Sequence, residues 1–346
     1  MSKPDFNALL ATHDKGDMAG YTRRFVDDLE VALGAAVEVD ADMDWSGVLC
    51  LGMGGSGAGG MFLSALTDSS GGLPFVVWRD YGLPSWWGPD WLVVATSYSG
   101  NTEETLDGVR AALEGGGVVV GICSGGELEQ ILSASDDALC LSVPGGQMPR
   151  SAFGHLLGTQ LAACWALGIL PRPDEGELAG MISRLRTASE SADLVGGDGR
   201  VAAMAAGMTG RPIGIVSAGE MSPAGVRFAN QLNENSDRFA RPVTLPEMNH
   251  NEIVAWGRDA ESQALLYLAS PATHPRVSAR LGWMMENVEA GDSWLLDCEG
   301  ESLLESLLIA AHITDWVSIA LAVTNGVDPS EMASIEGLKA HLATIQ

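Results

Sequence analysis

WLVVATSYSGNTEET, residues 91–105, joins an uncharged apolar run to a polar turn and then to a segment with helical spacing. Trp91 to Ala95 reads as a buried parallel strand, since a strand covered on both faces carries no polar alternation. Leu106, Val109 and Leu113 recur as one face of a helix. Asn101 is a good N-cap, and Glu104 three residues later completes a capping-box pattern. Ser97, Ser99 and Thr102 line the loop between strand and helix. A glycine-containing loop of this kind offers free backbone N–H groups at the positive end of a helix dipole, which suits a phosphate. An ordinary polar turn is the competing reading.

Upstream, Val48–Leu51 is a second buried strand and GMGGSGAGG, 52–60, a second glycine-rich strand-to-helix turn. Phe75–Trp78, Val118–Ile122 and Ala138–Val143 read as further short strands. Residues 1–45 form a helical lead-in through Tyr21, Phe25, Leu29 and Leu33, and a helix over 151–168 closes the unit. Strands alternating with helices predict a parallel sheet covered on both faces. After a glycine-rich linker at 195–200 a second cycle begins, with strands at Pro212–Ser217, Val243–Leu245, Ala264–Ala269 and Ser293–Leu296. A helix at Pro223–Leu232 and closing helices at 302–324 and 331–344 complete it. The expected architecture is α/β, with two doubly wound, flavodoxin-like parallel-sheet domains over 1–194 and 195–346 and a helical C-terminus. Ligand would sit at the carboxyl ends of the strands, where both glycine loops fall.

The chain has 346 residues and a net charge of −26, with lysine only at Lys3, Lys15 and Lys339. Such a charge argues against nucleic acid and anionic membranes as partners. It fits a salty cytoplasm, where screening tames self-repulsion, and equally a merely soluble acidic enzyme. No signal pattern opens the sequence and no run of about 18 uncharged apolar residues occurs, so a cytoplasmic protein is expected. Cys50, Cys123, Cys140, Cys164 and Cys298 are scattered without paired spacing. Neither they nor the isolated His155, His274, His312 and His341 make a metal set, and no cofactor is expected.

Gly52-x-Gly54-x-x-Gly57, with Asp80 further on at a strand end, satisfies the dinucleotide fingerprint and makes an NAD-dependent dehydrogenase one alternative. Ser56 and the second anion loop suit a single small phosphorylated ligand better. GMGGSG, SYSGNTEET, PRSAFG (149–154), NEN (233–235), EMNHNEI (247–253) and DPSEMASIEGLK (328–339) resemble, in that order, the sugar isomerase (SIS) domain family. More narrowly, they resemble its bifunctional phosphoglucose/phosphomannose isomerases of archaeal type. The resemblance covers nearly the whole chain. It implies that Gly54, Gly55, Ser56, Ser97, Ser99 and Thr102 hold a sugar phosphate, with Arg150, Glu234, His250 and Lys339 around the reacting end. It also implies a homodimer in which the histidine comes from the neighbouring subunit.

Chemistry agrees with those roles. Moving a proton between C2 and C1 of a hexose phosphate needs one base on one face of an enediolate, and Glu234 is the candidate. The amides of Asn233 and Asn235 could orient it. A fixed guanidinium beside the enediolate oxygens stabilises the transition state more than the ground state, which suits Arg150. Ring opening needs a group that titrates near neutrality, which suits His250. Lys339 would support the phosphate or sugar oxygens. Where the archaeal relatives commonly carry a threonine seven residues before this lysine, this chain has Met332, with Ser330 nearby. The expected activity interconverts fructose 6-phosphate with glucose 6-phosphate and mannose 6-phosphate. A regulatory SIS module that binds sugar phosphate without turnover is the non-enzymatic alternative.

Overall fold

A run of apolar residues with no polar partner side must be covered twice, and the chain does this in two parallel sheets. A computed structural model describes residues 4–38, 44–70 and 72–345. The helical lead-in forms α1 (Phe6–His13) and α2 (Met18–Leu33), while 1–3 and 39–43 lie outside the described residues. The first sheet contains β1 (Gly47–Leu51), β2 (Phe75–Trp78), β3 (Trp91–Thr96), β4 (Val119–Cys123) and β5 (Ala138–Ser142) in the order β2-β1-β3-β4-β5, all parallel. That is the flavodoxin-like order. Its crossovers include α3 (Gly54–Ser70), α4 (Glu103–Glu114) and α5 (Gly126–Ser133).

Then come α6 (Phe153–Ala166), α7 (Glu175–Ala192) and α8 (Arg200–Met208). The second sheet is built from β6 (Ile213–Ala218), α9 (Ser222–Ser236), β7 (Ala240–Leu245), α10 (Ile253–Asp259), β8 (Ala264–Ala269), α11 (Pro275–Asn287) and β9 (Asp292–Asp297). Its strands are parallel in the order β7-β6-β8-β9. Helices α12 (Leu303–Thr324) and α13 (Ala333–Leu342) end the chain.

Helix α12 is apolar all round, and a helix of that kind must be buried. It could cross a membrane by length and composition alone, yet it lies inside the fold, packed on α2, α7, α8 and α9. One continuous core runs from Val48 of the first sheet through Phe62, Phe153, Phe228 and Trp316 to Leu266 of the second. Helix α13 is the opposite case, with no buried residue.

One cap differs from expectation. The N-cap of α4 is Thr102, with no side-chain cap bond. Asn101 instead accepts at 3.0 Å from the Glu127 N–H in the first turn of α5. Gly100 causes this. At φ +69° it lies so close to the Gly125 carbonyl that a Cβ would sit 1.8 Å from that oxygen. The tight approach carries Asn101 away from its own helix and onto the next one.

Candidate active site

Because β1 and β3 are adjacent, with Leu51 beside Ala95, the turns after them share one end of the sheet. The first turn requires glycine. A Cβ on Gly57 would lie 2.3 Å from the Gly52 carbonyl, and one on Gly52 would lie 3.0 Å from that of Thr96. Gly54, at φ +52°, starts α3, so the early N–H groups of that helix have no intrahelical partner. The Tyr98 N–H donates to Ser56 Oγ at 3.0 Å and ties the two turns together. Buried Ser97 shares a 2.8 Å hydroxyl contact with Thr102, and the exposed Ser99 accepts from the Asn101 N–H. Two helix N-termini and hydroxyls from both loops therefore meet as an anion cradle.

Arg150 stands beside this cradle. A Cβ on Gly55 would lie 3.0 Å from Arg150 Cα, so the first glycine turn rests directly on the arginine backbone. The side chain is 1% exposed and held by three partners. Nε donates to Asn235 Oδ1 at 2.6 Å, Nη2 to the Pro329 carbonyl at 2.6 Å, and Nη1 to Glu234 Oε2 at 3.3 Å. Burial pulls the guanidinium below its ordinary pKa, while Glu234 and then Asp328 push it back up. One N–H remains on each terminal nitrogen for an outside oxygen. Arg150 lies in the turn just before α6, which starts at Phe153.

Glu234, at the C-terminal end of α9, keeps a quarter of its side chain exposed. It thus combines a fixed ion pair with access to a ligand. The flanking amides do something other than orient it. Asn235 is fully buried and serves Arg150, and Asn233 faces solvent.

The same assembly does not include two other candidates within one chain. His250 ends the 3-10 turn Glu247–His250, is exposed, and makes no hydrogen bond or ion pair among the described residues. Lys339 is exposed on α13, and its side chain likewise has no such partner among the described residues. Met332 is the N-cap of α13, and the Ser330 hydroxyl donates to Asp328. Asp80 follows β2 and accepts from the Tyr81 N–H. Among the described residues no three His, Cys, Asp or Glu side chains gather as a metal site requires. A cavity of about 440 Å³ near the start of α12, lined by Trp165, Met181 and Leu303, includes none of the site residues.

The motifs did not point to the groups behind Arg150: the Pro329 carbonyl, Arg227, Asp315 and Ser318. A signal did exist. Arg227, Gln231 and Asn235 recur every four residues along one face of α9, and Asp315 and Ser318 are among the few polar residues of a largely apolar α12.

Residues 199–342 match the model of the bacterial phospho-glucose isomerase C-terminal SIS domain. A bifunctional phosphoglucose/phosphomannose isomerase of Aquifex aeolicus is 33% identical over 307 residues, spanning 86% of this chain and 91% of that protein. One from Thermoplasma acidophilum is 28% identical over 303 residues, 86% of this chain and 90% of its own length. In fold, the chain is similar to the C-terminal domain of glucosamine-fructose-6-phosphate aminotransferase from Francisella tularensis, with a TM-score of 0.71 at 14% identity. That likeness covers 91% of this chain and 98% of the other. The two parallel sheets are SIS domains, and the chain belongs to the bifunctional phosphoglucose/phosphomannose isomerase family.

Proposed function

We propose that the chain is an aldose–ketose isomerase that interconverts fructose 6-phosphate with glucose 6-phosphate and mannose 6-phosphate through a cis-enediolate. The observation that carries this reading is the Arg150–Glu234 pair, seated against the glycine turn of a two-loop anion cradle. The N-terminus of α3 with Gly54, Gly55 and Ser56, and the Ser97, Ser99 and Thr102 hydroxyls, hold the phosphate. The carbonyl end of the open sugar then reaches the pair.

Starting from the ketose, the Glu234 carboxylate takes a proton from C1 and the C1–C2 enediolate forms. Negative charge gathers on the oxygens, where the free N–H groups of Arg150 bind it. Such a fixed donor contributes about 2.7–4 kcal/mol to an oxyanion transition state. Protonated Glu234 then returns the proton to C2, and the hydroxyl proton shifts between O1 and O2, giving the aldose. Glucose and mannose esters differ only at C2, so both derive from one enediolate once it turns about C2–C3 to present either face to Glu234, and Met332 bears on the balance between them.

His250 assists ring opening from a second copy of the chain, and Lys339 approaches the sugar oxygens or phosphate. The surface beside His250 supports this assignment. A groove lined by Asn249, Ile253, Arg280 and Trp283 borders it, with Val254 and Trp283 more than half exposed. On α13 the exposed Ile335, Leu338 and Leu342 form an apolar stripe with Ile345 just beyond. A cytoplasmic homodimer with shared sites would cover both, and each protomer would divide at about residue 195.

A chelator-treated assay from fructose 6-phosphate, with both aldose phosphates measured separately, tests the reading. Both products should form, glucose 6-phosphate at least as fast. Glucose 6-phosphate alone would implicate Met332, and binding without either product would leave a sensor.

A further inference from the structure

The Arg150 side chain and its backbone are both anchored to one turn of α12, residues 315–318. On the side-chain arm, Asn235 Oδ1 accepts from Arg150 Nε at 2.6 Å while its Nδ2 donates to Ser318 Oγ at 2.8 Å. The Ser318 hydroxyl proton is already committed, donating to the Asp315 carbonyl at 2.7 Å. Ser318 can therefore offer Asn235 only a lone pair. That fixes which end of the amide is NH₂, and the oxygen must face the arginine. On the backbone arm, Arg227 Nη2 donates to the Arg150 carbonyl at 3.1 Å and to Asp315 Oδ2 at 2.6 Å. Gln231 donates to the other Asp315 oxygen at 2.8 Å, and the Arg227 guanidinium lies 3.9 Å from the centre of the Phe153 ring. Ser318, Asn235 and Arg227 are buried, and on the backbone arm the Arg227 Nε–H is left without a partner.

We propose that Ser318 is a positioning residue: through the Asn235 amide it holds the Arg150 guanidinium in the plane that serves the enediolate oxygens. The proposal rests on the reading of Arg150 given above. Ser318 lies behind Asn235 and touches no substrate, so its effect must pass through the arginine. Without its hydroxyl, the Asn235 Nδ2 end is buried with no acceptor, and the amide is held only by the Arg150 bond itself. The amide then rocks about its side-chain torsions, and the guanidinium loses its in-plane restraint. Phosphate binding at the glycine loops is untouched. The signature is a fall in kcat with little change in KM.

The test is a double-mutant cycle on the full-length chain with fructose 6-phosphate as substrate. Ser318→Ala should lower kcat about tenfold, as loss of one buried hydrogen bond allows, with KM within about twofold. In an Arg150→Lys background the same change should cost nothing further, because the group it positions is gone. Asn235→Leu should fall at least as far as Ser318→Ala, whereas Asn235→Asp, which keeps an acceptor for Nε, should stay within about threefold. Equal multiplicative losses from Ser318→Ala in both backgrounds would mean a general packing role and overturn the proposal. So would wild-type kcat in both Ser318→Ala and Asn235→Leu alongside a severe Arg150→Lys defect. If Arg150→Lys itself leaves kcat unchanged, the reading of Arg150 falls first and the proposal with it.

Discussion

Replacing Arg150 with lysine keeps the charge and removes the planar fork. In the wild type three nitrogens meet three partners, Asn235 and Pro329 at 2.6 Å and Glu234 at 3.3 Å, at a site that is 1% exposed. A single ammonium cannot satisfy Asn235 and Pro329 from their separate directions and still point a donor at the sugar. At least one buried acceptor is left unpaired, costing about 1–3 kcal/mol of stability. The chain still folds, because the continuous core is unaffected, and melts a few degrees lower. Catalysis suffers more. Loss of one pre-positioned oxyanion donor costs about 10²- to 10³-fold in kcat. The glycine loops and serine hydroxyls still hold the ester, so KM should change by less than about threefold. The assay is steady-state conversion of fructose 6-phosphate with a melting curve on the same sample. A folded Arg150→Lys variant with kcat within about threefold of wild type would refute the reasoning, since an ammonium would then do all that the fork does.

Four further outcomes follow from the same geometry. Ser97→Ala combined with Thr102→Val should raise KM for hexose phosphates roughly tenfold or more with a smaller change in kcat, because it removes the paired hydroxyls from the cradle; inorganic phosphate inhibition should weaken in parallel. Mixing inactive Glu234→Gln and His250→Ala chains in equal amounts should restore about a quarter of wild-type activity, since half of the dimers are mixed and each mixed dimer has one complete site of two; no recovery after verified subunit exchange would contradict a shared site. Buried His312, stacked on Phe25 and bonded to Ser189, has its pKa driven down to about 3 by burial and then by Arg227. Between that value and the ordinary 6.5 the unfolded chain holds a proton that the folded chain lacks, so stability is full above about pH 6.5 and is lost as pH falls; near pH 5 the deficit is roughly 2 kcal/mol, and His312→Leu should flatten that part of the urea-melt pH profile. Met332→Thr should shift the ratio of mannose to glucose phosphate formed from fructose 6-phosphate upward, and an unchanged ratio would remove this position from the account of specificity.

The fold was open to a reader of the sequence because buried parallel strands announce themselves. Trp91–Ala95 and Ala264–Ala269 are short apolar runs bounded by turn residues, too short for a buried helix such as α12 and the right length for a covered strand. Amphipathic helices between short turns were harder to place: α8 begins at the end of the glycine-rich stretch read as a linker, and α11 follows a polar segment with few apolar landmarks. The two anion loops were legible for a local reason, since glycine and hydroxyl content at a strand end acts through backbone N–H groups nearby. The setting of Arg150 was not. Asn235 is 85 residues away from it and Pro329 179, and no periodicity reports contacts at that range. Asn101 illustrates the same limit on a small scale. Propensity correctly marked it as a capping residue, and tertiary packing through Gly100 decided which helix it caps. His250 and Lys339 are exposed and their side chains make no contact with the pair among the described residues, so neither sequence spacing nor one protomer's geometry brings them to it.

The central claim is that one carboxylate, Glu234, carries the proton between C1 and C2. Converting fructose 6-phosphate in D₂O with chelator present tests it most directly, comparing wild type with Glu234→Gln and following deuterium at C2 of the glucose 6-phosphate formed. Wild type should leave at C2 both hydrogen carried over from C1 and deuterium taken up when protonated Glu234 exchanges with solvent, and Glu234→Gln should bind hexose phosphate normally while turnover and exchange fall together by at least a thousandfold. Turnover by Glu234→Gln within about tenfold of wild type, with deuterium still entering C2, would assign the proton to another group and contradict the account.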